Sequence, residues 1–215
     1  MKTLTKDLQE SITPKMALQL LQDGNKRFIN NLKVNRNLLQ QANETAEGQH
    51  PFAVILSCID SRTSAEFIFD QGLGDVFSIR IAGNVLNQDI LGSMEFGCKV
   101  AGAKIIVVLG HTKCGAIKGA CDHVEMGHLT MLLNKIRPSV DSEIVTKENR
   151  NSKNSEFVEN VAVINVERNV KGIIEQSPII KEMVEKGEIG IVGGMHDITS
   201  GDVVFHPSTM SENLK

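Results

Sequence analysis

The residues of this chain best suited to chemistry gather in two short stretches. Cys58-Ile59-Asp60-Ser61-Arg62 places a thiol, a carboxylate and a guanidinium within one pentapeptide, and His111-Thr112-Lys113-Cys114 sets an imidazole and a second thiol three positions apart. Thiolate, imidazole and carboxylate are the side chains that hold zinc in a tetrahedron, and a catalytic zinc keeps one position for water. One turn of backbone can aim His111 and Cys114 at the same ion, whereas Cys58 must reach it through the fold. That gives a Cys58, His111, Cys114 set whose fourth position is open or filled by Asp60. Arg62 stands two residues from Asp60, and an arginine fork can hold a carboxylate through two hydrogen bonds. While Arg62 holds Asp60 the fourth position is free. Once released, Asp60 can turn onto the metal and close the site.

Each signal is weak alone. A single cysteine after a strand is more often a small buried hydrophobe, and an exposed Asp–Arg pair contributes little. The chain has no C-x-x-C pair of the kind that marks structural zinc or redox sites. The strength lies in the combination of two strand ends, four ligand-type residues and an arginine beside the carboxylate. Cys98 and Cys121 read as non-ligands. His50, His123, His128, His196 and His206 have no partner at ligand spacing and read as polar surface or connector residues.

Both stretches follow apolar runs, Phe52-Ala53-Val54-Ile55-Leu56 and Ile105-Ile106-Val107-Val108-Leu109. Such runs predict strands at 52–57 and 104–109 that are buried on both faces, as in a parallel sheet. Further strands are predicted at 76–81 and 189–192, with an antiparallel fifth at 202–206. Helices are expected over 14–31, where Thr13-Pro14 is a start signal, and over 64–70, 88–101, 128–136 and 156–175. Two more begin at Cys114-Gly115 and at Ser177-Pro178. Pro138 is expected to follow the end of the 128–136 helix. The result is an α/β fold with a mostly parallel central sheet of four strands plus the fifth, flanked by helices, with an N-terminal helical arm. We expect one domain over 1–215, with 1–50 as arm and connector and 141–155 as a polar loop. In parallel sheets, sites form beyond the carboxyl ends of the strands, and both stretches belong there.

Composition narrows the function. With 41% hydrophobic residues and a net charge of −3, the chain resembles an ordinary soluble protein without a basic stripe, so no nucleic-acid partner is expected. No apolar run approaches the roughly 20 residues of a membrane helix, and the first fifteen residues lack an apolar signal segment. A cytoplasmic location is expected, where four cysteines point to metal binding or catalysis and not to disulfides.

The two stretches, in this order, resemble the C-x-D-S-R and H-x-x-C motifs of the β-class carbonic anhydrases. The likeness extends over Gly48-Gln49, Asp70-Gln71-Gly72-Leu73-Gly74-Asp75, Arg80-Ile81-Ala82-Gly83-Asn84, Ser93-Met94-Glu95-Phe96, Gly110 to Ala120 and Gly193-Gly194-Met195-His196-Asp197, roughly residues 14 to 206. The resemblance implies reversible hydration of carbon dioxide to bicarbonate and a proton by zinc-bound hydroxide. It implies one Zn2+ per chain on Cys58, His111 and Cys114, with Asp60 as fourth ligand or as the partner of Arg62. It also implies a substrate pocket near Gln49, Phe77, Ala82 and Gly83, and a homodimer with sites at its interface that can build tetramers or larger assemblies. Phe96 stands where many members carry tyrosine. One subgroup has a non-catalytic bicarbonate site built from Trp and Tyr, and this chain contains neither residue. We therefore expect the open form, with Asp60 held by Arg62 at neutral pH. Two other readings use the same ligands: a hydrolase of carbon disulfide or carbonyl sulfide, and a non-catalytic zinc-binding protein.

Overall fold

The structure, a computed structural model, describes residues 3–215; residues 1 and 2 of the expected arm lie outside the described residues. Among the described residues five strands form one sheet: β1 (Ala53–Ser57), β2 (Val76–Arg80), β3 (Ile105–His111), β4 (Gly190–His196) and β5 (Val203–Phe205). Their order is β2-β1-β3-β4-β5. The first four run parallel and β5 runs antiparallel to β4.

The apolar runs have no polar alternation because helices cover both faces. Val54, Leu56, Ile106 and Val108 point into one core layer with Val161, Val166 and Ile173 of α9 (Ser155–Gln176). Ala53, Ile55, Ile105 and Val107 point into the other, with Ala17, Leu18 and Leu21 of α2 (Pro14–Ile29). Each such fully buried aliphatic side chain contributes roughly 1.5–3 kcal/mol. Helix α9 can lie close on the sheet because β3 and β4 carry glycines beneath it. A Cβ on Gly193 would stand 2.5 Å from Val166 Cγ1, and one on Gly110 2.6 Å from Val166 Cγ2. That approach brings α9 over the carboxyl edge where the site forms.

The start signal at Thr13-Pro14 acts as read, and Asn154 caps α9 without having been read from the sequence. The Thr13 hydroxyl accepts from Met16 N (3.2 Å) to start α2, and Asn154 Oδ1 accepts from Phe157 N (3.2 Å) to start α9. The remaining helices are α1 (Lys6–Ser11), α3 (Leu38–Glu44), α4 (Ala65–Ile68), α5 (Gln88–Glu95), α6 (Gly115–Cys121), α7 (Gly127–Leu133), α8 (Arg137–Ser142) and α10 (Pro178–Glu185), in addition to single helical turns. The expected 88–101 helix continues from α5 as a π-helical turn over Phe96–Val100.

Several boundaries differ. Pro138 lies in the first turn of α8, where its missing N–H costs nothing, so it begins a helix where one was expected to have ended. The polar 141–155 stretch is shorter than expected, since Asp141 and Ser142 end α8 and Ser155 begins α9. Nor is it wholly solvated: Glu143 is buried and paired with Arg150, and it accepts from the Thr146 N–H. Strand β4 extends to His196 and β3 to His111, so both histidines end strands. Near the amino-terminal helices, the buried Asp70 carboxylate is gripped by Arg27 and Arg36.

Candidate metal centre

Strand register delivers the first ligand. Ser57 pairs with Leu109 of β3 and Arg80 of β2, so Cys58 leaves β1 at the level of Gly110, next to His111. Cys114 follows from the short turn between β3 and α6. The ligand atoms of Cys58, His111 and Cys114 all lie within 4.8 Å of one another, and all three residues are buried. The two sulfurs are 3.9 Å apart. A tetrahedral zinc with bonds of about 2.3 Å sets its sulfurs about 3.8 Å apart, whereas a disulfide needs about 2.05 Å. The cysteines are therefore spaced for a shared ion.

The histidine is prepared in the same way. His111 Nδ1 lies 2.9 Å from the Thr112 carbonyl, which can only accept, so Nδ1 carries the proton. Nε2 is left with its lone pair, buried and without a protein partner. A ring fixed through one nitrogen and bare at the other is the usual form of a metal-binding histidine.

The thiols also call for a cation. Cys58 is drawn well below the ordinary thiol range, first by the hydrogen bond from Cys114 and against burial. Cys114 is pushed far up by that same bond and by burial. Two thiols in such contact share a proton, and a cation between them favours the loss of both protons.

Asp60 stands beside this cluster in the grip of Arg62. The guanidinium donates from Nε to Oδ1 (2.9 Å) and from Nη2 to Oδ2 (2.7 Å), and the Arg62 backbone N–H adds a bond to Oδ1 (3.0 Å). These bonds, the guanidinium first, hold the carboxyl far below the usual carboxylate range. The metal-capable cluster does not include Asp60.

Sequence reasoning missed several supports. Arg80, at the end of β2, donates from Nε to the Cys58 carbonyl (3.0 Å) and from Nη2 to the Asp60 carbonyl (2.6 Å). It therefore fixes the backbone of the first motif, and its place opposite Ser57 in a parallel pair was the available signal. Thr63 Oγ1 donates to the Asp60 carbonyl (3.0 Å). His196, read as surface or connector, is buried and pairs with His111 across β3 and β4. Burial, then His111, pushes its pKa down to about 4, so it is neutral. Cys98 and Cys121 are buried and stand outside the cluster.

The expected pocket residues are not all gathered within one chain. Gly83 touches the cluster through its N–H, 3.4 Å from Cys58 Sγ, and half-buried Ala82 precedes it in the same turn. Phe77 pairs with Val54 near the amino edge of the sheet, its ring edge-on to Phe96 at 6.2 Å. Gln49 is exposed ahead of β1, and the five residues of that strand, about 17 Å long, separate its edge from Cys58.

A Cys2His cluster at the carboxyl edge of a mixed α/β sheet, beside a carboxylate gripped by an arginine, has the donor set of a zinc site. The family model described as carbonic anhydrase matches residues 53–203, and the chain belongs to the β-class of this family. Carbonic anhydrase 2 of Mycobacterium tuberculosis is 34% identical over 198 residues, 89% of this chain and 92% of that protein. The carbonic anhydrase of Mycolicibacterium smegmatis is 32% identical over 197 residues, 88% and 92% of the two chains. Among solved structures, a β-carbonic anhydrase of Aspergillus fumigatus superposes with a TM-score of 0.67 at 28% identity, over 79% of this chain and 82% of that one. One of two tetrameric β-carbonic anhydrases from Sordaria macrospora gives 0.66 at 25% identity, over 78% and 90%. The reaction is the reversible hydration of carbon dioxide, with zinc as cofactor, and the Cys58–His111–Cys114 cluster fits that ion.

Proposed function

We propose that carbon dioxide is hydrated at the Cys58–His111–Cys114 centre in its open form, with Asp60 and Arg62 as the working pair. The observation that carries this reading is the three-bond hold of Arg62 on Asp60. When bound, zinc supplies a Lewis acid that makes a water-derived nucleophile available near neutral pH. The two thiolates cancel the charge of the dication, so we expect activity to rise as pH increases through neutrality.

Asp60 remains ionised throughout that range and can only accept hydrogen bonds. It therefore orients a protonated oxygen beside the centre and gives no proton away. Arg62 holds that carboxylate out of the fourth ligand position. Arg80 and Thr63 keep the Asp60 backbone still while substrate and product exchange.

The assembly we propose is a homodimer, able to form tetramers or larger, in the cytoplasm. Gln49 and Phe77 stand towards the opposite edge of their own sheet, which supports a site completed by residues of a second copy. Asp60→Asn keeps the shape but weakens both the acceptor and its hold by Arg62. Zinc-loaded Asp60→Asn should lose at least about tenfold in hydration rate with zinc content unchanged. A wild-type rate would remove Asp60 from the mechanism.

A further inference from the structure

The turn after β2 leaves the sheet ladder once Ile81 N has bonded to the Ser57 carbonyl (3.1 Å). Gly83 (φ 69°) and Asn84 (φ 42°) then take the left-handed conformation in succession. This bend turns the Gly83 N–H towards Cys58 Sγ, at 3.4 Å. Outside the turn itself, α9 holds it from behind. Asn165 Nδ2 donates to the Gly83 carbonyl (3.0 Å), and Asn169 Nδ2 donates to the Asn84 carbonyl (3.1 Å). The two asparagines stand one helical turn apart, on one face of the helix. The Ser139 hydroxyl lies 3.3 Å from Asn165 Oδ1 and donates to it. The Gly83 carbonyl can only accept, so it fixes the NH2 end of the Asn165 amide at the turn and leaves Oδ1 to the Ser139 hydroxyl. Asn165 and Ser139 are both buried, at 2% and 1% exposed.

We infer that Asn165 and Asn169 are positioning residues for the ligand Cys58, acting through the Gly83 N–H. The inference rests on Cys58 as a metal ligand. An N–H aimed at a thiolate stabilises the sulfur lone pairs and moderates their donation to the metal, and loss of such an outer partner typically costs about 10–100-fold in metal affinity or activity. The path runs from Ser139 to Asn165, to the Gly83–Asn84 turn, and from Gly83 N–H to Sγ. Asn169 holds the far side of the same turn, so losing either asparagine frees the N–H to swing off the sulfur. A merely structural role would lower thermal stability and leave the sulfur unchanged.

The cobalt-loaded protein separates these cases, because its sulfur-to-cobalt charge-transfer band reads the sulfur directly and does not depend on the reaction. Asn165→Asp is isosteric, and at pH 8 it cannot donate. We expect its band to move to longer wavelength than that of the wild type, with zinc held about tenfold more weakly in competition with a chelator. Ser139→Ala and Asn169→Ala should move the band the same way by less. A folded Asn165→Asp with the wild-type band and wild-type zinc affinity would overturn the inference. If that variant does not fold, Ser139→Ala and Asn169→Ala decide: a shift in either supports the relay, and no shift in both overturns it. A wild-type cobalt protein with no sulfur band would overturn the ligand set and the relay with it.

Discussion

Replacing Gly83 with alanine tests the turn that serves the metal centre. Gly83 has φ 69°, which an L-residue adopts at a cost of roughly 1–2 kcal/mol. The new methyl would also stand 2.6 Å from Ile136 Cδ1 and 3.2 Å from Ala116 Cβ. Forcing a methyl into a packed layer typically costs about 1–3 kcal/mol, and the low end applies here because Ile136 Cδ1 is the end of a flexible side chain. The sum is about 2–3 kcal/mol, or roughly 4–12 °C in melting temperature for a chain of this size. Thermal and urea unfolding at one fixed protein concentration measure it. The two parts can be separated with Ile136→Val, which removes Cδ1. In the double variant the steric part should be relieved and the backbone part should persist. Hence Gly83→Ala should cost about 1 kcal/mol less in a protein already carrying Ile136→Val than in the wild type. A Gly83→Ala protein that melts with the wild type would refute the left-handed turn. An equal cost on both backgrounds would refute the contact with Ile136.

Arg62→Ala should leave the melting temperature almost unchanged, because Arg62 is an exposed side chain. Its hydration rate should fall, and most at lower pH, as Asp60 loses the bonds that hold it off the metal; an unchanged rate–pH profile would contradict this. Arg36→Met removes a buried partner of Asp70 and should cost about 3 kcal/mol in denaturant unfolding, without changing the rate per folded enzyme. For Asp70, burial raises the pKa, but the bonds from Arg27 and Arg36 outweigh it and the net shift is downward. A carboxyl that is lower when folded gives stability that is complete above its unfolded value of about 4 and is lost as pH falls through the folded value. Acid unfolding of the wild type should therefore show this loss below about pH 4, and Arg36→Met should show less of it. An identical acid limb in both would count against the ion pair.

The fold was legible wherever one physical rule acted alone. The unbroken apolar runs at 52–57 and 104–109 fit strands covered on both faces, and they placed Cys58 and His111 at one edge. Ser and Thr caps with prolines behind them marked α2 and α10. What escaped depended on tertiary register or on local context. Pro138 reads equally well as the end of one helix or the start of the next, and the turn at Leu133–Ile136 decided for the second. Glu143 sits in a polar tract that reads as solvated, and its burial follows from Arg150, whose guanidinium also stacks 4.6 Å from the Phe157 ring. His196 shows no ligand spacing, and only its pairing opposite His111 buries it at the centre. Asn165 resembles any polar residue of an amphipathic helix until α9 is laid over the Gly83 turn. Gln49 and Phe77 entered through family resemblance, and the length of β1 shows why a single chain does not bring them to the metal.

The most direct test is stopped-flow hydration of carbon dioxide by zinc-loaded protein from roughly pH 6.5 to 9, with zinc counted per chain and Cys58→Ser run beside the wild type. The centre described here predicts one zinc per wild-type chain and a rate that increases with pH. The rate should be lost in Cys58→Ser, where a hydroxyl replaces a thiolate at the end of β1. A wild type carrying one zinc per chain and hydrating no carbon dioxide at any pH, or a Cys58→Ser variant as fast as the wild type, would contradict it.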